Sequence, residues 1–535
     1  MQIDLGERVE STPRKKCVQR TLWTLGIALA FLFYTAGLSQ NPPGFYLDET
    51  GLAYNAYLVS RTGAGEFGPR FPVYFQLYPG AFAQYLSPTQ VYLLALVFRF
   101  EPPSILAARI FSAFWVFAAC LLLGLLARGV SGEGKIGIIV AVTTLLTPWF
   151  FDVRGVLLEP HFVPFAIVLF LLALYYAQTK EKWDWCVVIT LAETLTLLSY
   201  CYTSGRVLAP LFALGLLFFA TTRRRLIDII KTWLIYGVTL VPIVMFNRSH
   251  PGVLTKRLYE ISYIGPGVPW REIASEFVRR YLEDQNLTAL LMTGDYHPRH
   301  HVQGSGGAIL LATFTLAMIG LGLIIVLRWR EPWWRFVLYG LAVSILPGAI
   351  TKEPFHQMRL MGYPVFLLVL TIPALQWLLA PDGPRQSTYG ASEQAHGSES
   401  DRAAVVSHGL RRPIRLGFLG ILLAATVVQA IDFQVAYRRE GPKRLSDFDA
   451  PYKPLYDAAV AQPQRPVYLE NAQWGPAYMN AYWYATVEHR PLSEFVRLPD
   501  GAKPPPGAIV LSSNSDCQNC EVIKKSGLYE LYKAK

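Results

Sequence analysis

The chain has 535 residues, of which 52% are hydrophobic and only 16% are charged, and its mean hydropathy is +0.29. A soluble chain carries roughly 25% charged residues, so this composition excludes an ordinary soluble protein. The net charge of +11 does not indicate a nucleic-acid partner, because the basic residues form short clusters between apolar runs and nothing resembles a nucleic-acid-binding module. Such clusters are typical of the loops that set the topology of a membrane protein.

Long apolar runs predict an all-α polytopic membrane domain at 21–380. A transmembrane helix needs about 20 residues, and lipid requires the backbone to satisfy its own hydrogen bonds, which favours helices. The first run follows Arg14, Lys15 and Lys16 and lacks a small-x-small cleavage site, so we expect an uncleaved span rather than a signal peptide. In chain order, about eleven spans are predicted at 21–38, 105–127, 136–151, 161–178, 184–201, 207–222, 228–246, 308–327, 334–350, 360–380 and 414–432.

The basic clusters set the predicted orientation. If residues 1–20 are cytoplasmic and the loops alternate between the two sides, every short inner loop carries Lys or Arg, as the positive-inside rule requires. The other loops then lie outside the cytoplasm, at 39–104, 152–160, 202–206, 247–307 and 351–359.

The C-terminal part is predicted to contain a linker, the last span and a second domain. Residues 381–413 are polar and rich in Ser and Gly, which predicts a flexible cytoplasmic linker before the last transmembrane helix at 414–432. In 433–535 the β-like runs VYLE, AIVLSS and LYELYK alternate with the helical run AYMNAYWYATV, which predicts a small extracytoplasmic α/β domain. Its Cys517 and Cys520 form a lone C-x-x-C, which favours a local disulfide or two free thiols over a zinc site.

The first outer loop carries an acidic pair, Asp48 and Glu49, soon after the first span. Residues 47–60 have helical spacing and amphipathic character, so the pair is predicted to open a helix that lies at the membrane interface. One explanation is structural, because acidic residues near a helix N-terminus interact favourably with the helix dipole, or they are merely solvated. The other explanation is catalytic, and the remaining outer loops favour it.

Those loops carry arginines at the membrane edge, where the positive-inside rule disfavours them. Each arginine alone can be a snorkelling side chain without function, but together they suit a membrane-embedded anionic substrate. Arginines and His356 would bind a lipid phosphate while a carboxylate activates an incoming hydroxyl. The candidate residues that these loops offer are Arg154, Glu159, Tyr202, Arg206, His356 and Arg359.

The long loop 247–307 contains LMTGDYHPRHHVQGSGG, and its Asp295, Arg299 and His300 are predicted to lie near the substrate. A cluster of His and Asp could bind a metal ion, but adjacent histidines point in different directions and the spacing matches no strong signature. We therefore predict no metal ligands and no certain cofactor, with a divalent metal as the alternative.

These segments together resemble the dolichyl-phosphate-mannose protein mannosyltransferase family. Its members are superfamily-C (GT-C) glycosyltransferases that use polyprenyl-phosphate sugars, and the bacterial lipid A aminoarabinose transferase is related to them. The resemblance covers about residues 20–380 and is carried by FYLDET, RGVLLE, the TGD…RHH loop and the HxxR segment. It implies a GT-C fold in which Asp48 is the catalytic carboxylate and Glu49 supports it. It also implies that the donor phosphate and sugar are surrounded by Arg154, Glu159, Arg206 and Arg359.

The sequence-based hypothesis is an inverting transfer of a sugar from an undecaprenyl- or dolichyl-type phosphate to a hydroxyl acceptor outside the cytoplasm. The acceptor would be a protein, a lipid A-like lipid or a glycan, and the enzyme a multi-pass protein of the plasma (inner) membrane. A transporter or flippase of a lipid-linked sugar is the alternative, but charged residues cluster at one membrane face, whereas transporters place them near mid-membrane. A third hypothesis is a non-catalytic membrane scaffold that presents the C-terminal domain.

Overall fold

The computed structural model describes residues 13–80, 83–381, 411–471, 475–499, 501–514 and 520–535, and most of these residues are helical. The helices up to residue 380 are, in chain order, α1 (Pro13–Thr35), α2 (Leu47–Thr62), α3 (Pro88–Phe98), α4 (Ile105–Ser131), α5 (Gly134–Leu146), α6 (Pro148–Val153), α7 (Val163–Gln178), α8 (Trp185–Cys201), α9 (Thr203–Gly215), α10 (Arg223–Thr239), α11 (Val241–Ser249), α12 (Val253–Ile261), α13 (Trp270–Glu283), α14 (Leu311–Leu323), α15 (Pro332–Val343), α16 (Leu346–Ala349) and α17 (Tyr363–Leu379). The predicted helical character of the membrane domain is therefore confirmed.

Five helical segments among the described residues are long and apolar enough to cross a membrane. They are Ile105–Ser131, Glu159–Gln178, Arg223–Ser249, Leu311–Arg328 and Arg412–Lys443. Each one coincides with a span predicted from the sequence, and the protein is accordingly a multi-pass membrane protein.

Four further predicted spans coincide with shorter apolar helices, so the total of about eleven spans is not confirmed. These helices are Gly134–Leu146, Trp185–Cys201, Thr203–Phe219 and Tyr363–Leu379. The predicted span at 136–151 is interrupted, because Thr147 is extended (φ −67°, ψ 123°) and Pro148 begins the next helix, α6. Proline cannot continue the hydrogen-bond ladder of a helix, but it suits the first helical position.

Helix α17 lies at the centre of the membrane domain. Fourteen of its 17 residues are buried, as expected for a helix that is apolar on every side. It packs closely against α14, where a Cβ atom on Gly320 would lie only 1.7 Å from the carbonyl oxygen of Leu370. Only glycine permits this approach of the two backbones, which is typical of packed membrane helices.

The predicted helix after the first span is confirmed as α2, but it does not lie exposed on the membrane surface. Ten of its 16 residues are buried. Helix α3 packs against α2, and the same outer loop contains a short antiparallel hairpin of β1 (Phe75–Gln76) and β2 (Tyr85–Leu86). The amphipathic pattern of 47–60 therefore reflects protein packing rather than contact with lipid.

The C-terminal region is a small α/β domain, as predicted. It follows the long helix α18 (Arg412–Glu440) and contains the helices α19 (Tyr452–Val460) and α20 (Tyr478–Val487). Its strands are β3 (Val467–Glu470), β4 (Phe495–Arg497), β5 (Ile509–Ser512), β6 (Cys520–Ser526) and β7 (Tyr529–Ala534). They form one sheet in the order β4–β3–β5–β7–β6, in which β3 is parallel to β4 and β5 whereas β7 is antiparallel to β5 and β6.

This α/β domain and the first outer loop share one hydrophobic core. The rings of Phe45 and Trp483 lie 5.3 Å apart between their centroids. A Cβ atom on Gly44 would lie 2.0 Å from the carbonyl oxygen of Phe448. The domain is therefore packed onto the segment that carries Asp48, rather than tethered to the membrane domain by the last helix alone.

Parts of the sequence-based interpretation fall outside the described residues. They are most of the linker, at 382–410, and Cys517. Cys520 is disulfide-bonded. Cys120 and Cys201 are buried free thiols in the membrane domain.

Candidate active site

A cavity of about 340 Å³ lies where the predicted outer loops meet. All five loops that the topology placed outside the cytoplasm contribute to its lining. Eight of the eleven predicted site residues line it, namely Asp48, Glu159, Tyr202, Arg206, Arg299, His300, His356 and Arg359. Segments that are far apart in the sequence are thus brought together by the membrane helices that separate them.

Asp48 enters the cavity from the first turn of α2, where it is the second helical residue. Its side chain is half-buried, and its Oδ1 accepts a hydrogen bond of 2.9 Å from the hydroxyl of Tyr78. Amide N–H groups at a helix N-terminus and the helix dipole favour a negative charge at this position. The carboxylate is therefore oriented by Tyr78 and open to a ligand in the cavity.

Glu49 is not among the residues that line the cavity. It is fully buried, and its two oxygens accept hydrogen bonds from the backbone N–H groups of Leu157 (2.8 Å) and Tyr46 (3.0 Å). Burial raises the pKa of Glu49, while the guanidinium of Arg109, 4.0 Å away, opposes this effect. Glu49 thus joins the start of α2 to the second outer loop, which supports Asp48 through the backbone.

Cationic side chains line the wall of the cavity. The Nη2 of Arg206 donates to Thr203 Oγ1 at 2.7 Å, and its guanidinium lies 5.4 Å from the centre of the Tyr74 ring. The guanidinium of Arg299 lies 4.1 Å from the centre of the Tyr46 ring. Among the described residues neither arginine has a carboxylate within ion-pair distance, so both can offer their charge to an anion.

Arg359, unlike Arg206 and Arg299, forms an ion pair with a carboxylate. Its Nη2 lies 2.8 Å from Glu353 Oε2, and its Nη1 donates to Thr351 Oγ1 at 2.9 Å. Glu353 also lies 3.6 Å from the Nε2 of His356. The HxxR segment is therefore a small network around Glu353, a cavity residue that the sequence analysis did not select.

Glu159 and Tyr202 line the cavity. Glu159 is fixed by the first outer loop, because its Oε1 accepts from the backbone N–H of Ser87 and its carbonyl accepts from Gln90 Nε2 at 2.6 Å. The second outer loop is thus tied both to α3 and to the start of α2.

Arg154 was predicted to bind the donor, but it does not line the cavity. The predicted donor-binding set is corrected at this residue. It is 1% exposed, and its Nε donates to the carbonyl of Tyr34 at 2.6 Å while its Nη1 donates to the hydroxyl of Tyr437 at 3.2 Å. Its guanidinium lies 3.3 Å from the centre of the Phe151 ring. These contacts use the cation to join α1, α6 and α18, so we reassign Arg154 to packing.

Asp295 also lies behind the cavity wall. Its Oδ2 accepts from the backbone N–H of Gln357 and lies 2.8 Å from His300 Nδ1, while its Oδ1 accepts from the N–H of His297 at 2.8 Å. The neighbouring His301 turns instead to Asp152, with 2.7 Å between Nδ1 and Oδ2. Adjacent histidines therefore point in different directions, as expected, and Asp295 orients His300.

Two imidazoles at the cavity, those of His356 and His297, have lowered pKa values that favour their neutral form. Burial and nearby positive charge lower the pKa of His356. Burial also lowers the pKa of His297 to about 4. The rings of His300 and His356 lie 4.3 Å apart between their centroids. Neutral imidazoles can donate a hydrogen bond to a phosphate or sugar oxygen without adding charge.

Asp295, His300 and His356 are the described residues grouped closely enough to hold a metal ion, with ligand atoms within 4.8 Å of one another. Both oxygens of Asp295 already accept hydrogen bonds. A metal ion would have to displace His300 from Asp295, so the donor set fits a hydrogen-bond network better than a coordination shell.

Two cations of the cavity were missed by the sequence analysis. Lys256 and Arg257 lie on α12, which contributes much of the outer wall. The signal was a Lys-Arg pair in the short amphipathic run VLTKRLYEI of an outer loop. Without the fold, this run could not be distinguished from a helix that only rests at the membrane interface.

Most of the chain is similar in fold to a solved protein structure. The structure of ArnT from Cupriavidus metallidurans in the apo state matches with a TM-score of 0.56 and 12% identity, over 96% of this chain and 98% of that one. The structure of the same protein bound to undecaprenyl phosphate matches with a TM-score of 0.56 and 11% identity, with the same coverage. The fold implied by the sequence resemblance is thereby confirmed.

A weaker match is the archaeal oligosaccharyltransferase AglB from Archaeoglobus fulgidus, in complex with an inhibitory peptide and a dolichol-phosphate. Its TM-score is 0.47 at 14% identity, over 90% of this chain and 65% of that one. No protein-family model and no curated protein matches the sequence.

Proposed function

We propose that the protein is an inverting glycosyltransferase that moves a sugar from a polyprenyl phosphate to a hydroxyl acceptor at the extracytoplasmic face of the membrane. The observation that carries the proposal is the cavity, in which Asp48 shares one lining with Arg206, Arg299 and Arg359 in a chain with the fold of ArnT. The solved complex of ArnT with undecaprenyl phosphate supports a lipid phosphate as the donor group.

The charges of the lining favour a phosphate. Arginine and lysine contribute five cations to the lining and aspartate and glutamate contribute four anions. Two of the carboxylates are already paired, Glu353 with Arg359 and Glu260 with Arg257. Lys256, Arg206 and Arg299 are the remaining three cations of the lining. We assign the donor phosphate to the two arginines among them, because arginine forms strong, often bidentate hydrogen bonds with phosphate.

Asp48 is the proposed general base. The acceptor hydroxyl oxygen attacks the anomeric carbon, its proton passes to Asp48, and the bond from carbon to the phosphate oxygen breaks with its electron pair retained by the polyprenyl phosphate. A single displacement of this kind inverts the anomeric configuration. The leaving phosphate gains negative charge as the bond breaks, and preorganised arginines stabilise that charge in the transition state.

Glu159, His300 and His356 are assigned to the sugar. Glu159 is held by Ser87 and Gln90, and it lines the same cavity as Asp48. A carboxylate accepts hydrogen bonds from sugar hydroxyls, while His300 and His356 can donate to them or accept from them. This division leaves Asp48 for proton transfer.

The test uses the full chain in lipid nanodiscs, incubated with radiolabelled polyprenyl-phosphate sugars and an extract of membrane acceptors. We expect label to leave the lipid and appear in a glycosylated product of inverted configuration. In the variant Asp48→Asn this transfer should be lost. Asp457→Asn makes the same chemical change at a control position, because Asp457 lies on the surface of the C-terminal domain and pairs with Lys453.

The same donors in sealed liposomes test the transporter alternative. Movement of the intact labelled lipid between leaflets, with no transfer of its sugar to any acceptor, would replace the enzyme with a flippase. Transfer without such movement supports the proposal.

A further inference from the structure

A carboxylate from the C-terminal domain holds the start of the helix that carries Asp48. The Oδ2 of Asp449 accepts a hydrogen bond of 2.9 Å from the backbone N–H of Leu47, the first residue of α2. Its Oδ1 accepts a hydrogen bond of 2.6 Å from the hydroxyl of Tyr529 on β7. Asp449 is 7% exposed, so these contacts are shielded from water.

The sequence of α2 supplies only part of the cap at its N-terminus. The first N–H groups of a helix have no acceptor within the helix, and they are usually satisfied by Ser, Thr, Asp or Asn at the N-cap position. In α2 that position is occupied by Tyr46. Glu49 accepts from the N–H of Tyr46, and Asp449 accepts from the next N–H group, that of Leu47. One of these two capping acceptors is thus supplied by a residue about 400 positions away in the chain.

Further contacts fix the same short segment from the same side. The hydroxyl of Thr50 donates to Asn480 Oδ1 at 3.0 Å. Phe45 packs on Trp483, and the backbone of Gly44 lies against that of Phe448. The segment 44–50 is therefore held by the C-terminal domain on one side while Asp48 faces the cavity on the other.

Asp449 has a backbone conformation that residues with a Cβ atom seldom adopt. Its φ of 50° and ψ of 23° lie in the left-handed region, which Asp and Asn tolerate better than other residues with a Cβ atom. Asn at this position would keep the conformation and an oxygen acceptor. Gly would keep the conformation and remove the side chain.

We propose that Asp449 is a positioning residue of the active site, and that the C-terminal domain acts in catalysis by capping α2 and so fixing Asp48. This inference rests on the proposed function, because it takes Asp48 as the base. The domain is then part of the catalytic machinery rather than an appended binding module.

The test compares Asp449→Gly and Asp449→Asn with Tyr478→Phe in nanodiscs. Tyr478 donates to Glu66 beyond the opposite end of α2, so its replacement removes a contact between domain and loop without touching the cap. We expect Asp449→Gly to lower kcat about tenfold, the size of a lost N-cap, with donor binding within twofold of the wild type. Asp449→Asn should recover most of kcat, and Tyr478→Phe should retain it.

Hydrogen–deuterium exchange of residues 46–52 gives a readout that does not need catalysis. Exchange should rise in Asp449→Gly and stay near the wild-type rate in Asp449→Asn. Unchanged exchange and unchanged kcat in Asp449→Gly would overturn the inference, and so would an equal loss of kcat in Tyr478→Phe. If the wild type transfers no sugar but exchange rises as expected, the capping role stands and the proposed function fails.

Discussion

The hydroxyl of Tyr78 donates a hydrogen bond of 2.9 Å to Oδ1 of Asp48. This contact joins the segment that follows β1 to the first turn of α2. Tyr78 is 2% exposed, so its position is set by packing. The remaining oxygen of Asp48 is the one available to an acceptor hydroxyl.

Replacement of Tyr78 by Phe should therefore reduce catalysis and spare binding. The variant keeps the buried ring but removes one hydrogen bond, worth about 1 kcal/mol of orientation. We expect kcat to fall about fivefold while the dissociation constant of the donor changes little. Steady-state kinetics at saturating donor measures this, and an unchanged kcat would show that Tyr78 does not orient Asp48.

Arg206 should contribute mainly to donor binding, because its charge has no carboxylate partner among the described residues. We expect Arg206→Ala to raise the dissociation constant of a polyprenyl phosphate about tenfold, through the loss of a charge-assisted hydrogen bond. The matched control is Arg279→Ala, which removes an exposed arginine that pairs with Glu276 and Glu283 along α13. Equal effects of the two changes would indicate a general electrostatic response and remove Arg206 from the site.

Arg154 should affect stability rather than donor affinity. Its guanidinium is enclosed by Tyr34, Phe151 and Tyr437, and loss of such a network typically costs about 1–3 kcal/mol. We expect Arg154→Met to lower the Tm by several degrees while the folded fraction binds polyprenyl phosphate normally. Weaker donor binding at an unchanged Tm would return Arg154 to the donor site.

Glu66 should make the stability of the protein depend on pH. Burial raises the pKa of Glu66 to about 7, against the hydrogen bond from Tyr478 and the charge of Arg497, which lower it. Because the folded state holds this proton more tightly than the unfolded chain, the associated stability is complete below about pH 4.5 and is lost as the pH rises to about 7.

Glu66→Gln cannot titrate at this position, so it should not lose stability between pH 4.5 and 7. The Tm of the variant minus that of the wild type should therefore increase as the pH rises through this range. Thermal unfolding across this range measures the difference, with the exposed strand residue in Glu521→Gln as the control. Parallel Tm curves for Glu66→Gln and the wild type would show that Glu66 titrates normally.

The membrane fold was accessible from the sequence because hydropathy and basic clusters act locally. The run at 105–127 and the Lys and Arg residues after it need no knowledge of the rest of the chain. The same predicted topology brings Asp48 and Arg206 to one side of the membrane, since both fall on loops predicted to lie outside the cytoplasm, and the structure has both lining one cavity.

Other features depended on contacts between distant segments, which a single sequence does not encode visibly. Arg154 has the same local pattern as Arg206, but packing of α18 encloses it. Asp449 lies in a polar turn of the C-terminal region, and only the fold brings it to Leu47. The same holds for Lys256, whose position on α12 matters only because α12 forms a wall of the cavity.

The central claim is that Asp48 is the base in a sugar transfer, and Asp48→Asn tests it most directly. The variant keeps the size of the side chain and an oxygen that can accept from Tyr78, but it cannot take up the acceptor proton. Transfer of labelled sugar and binding of the polyprenyl-phosphate donor are measured on the same nanodisc preparation. We predict loss of at least a hundredfold in transfer, the scale of general base catalysis, with donor binding within about twofold of the wild type. Turnover close to the wild-type rate in Asp48→Asn would contradict the mechanism.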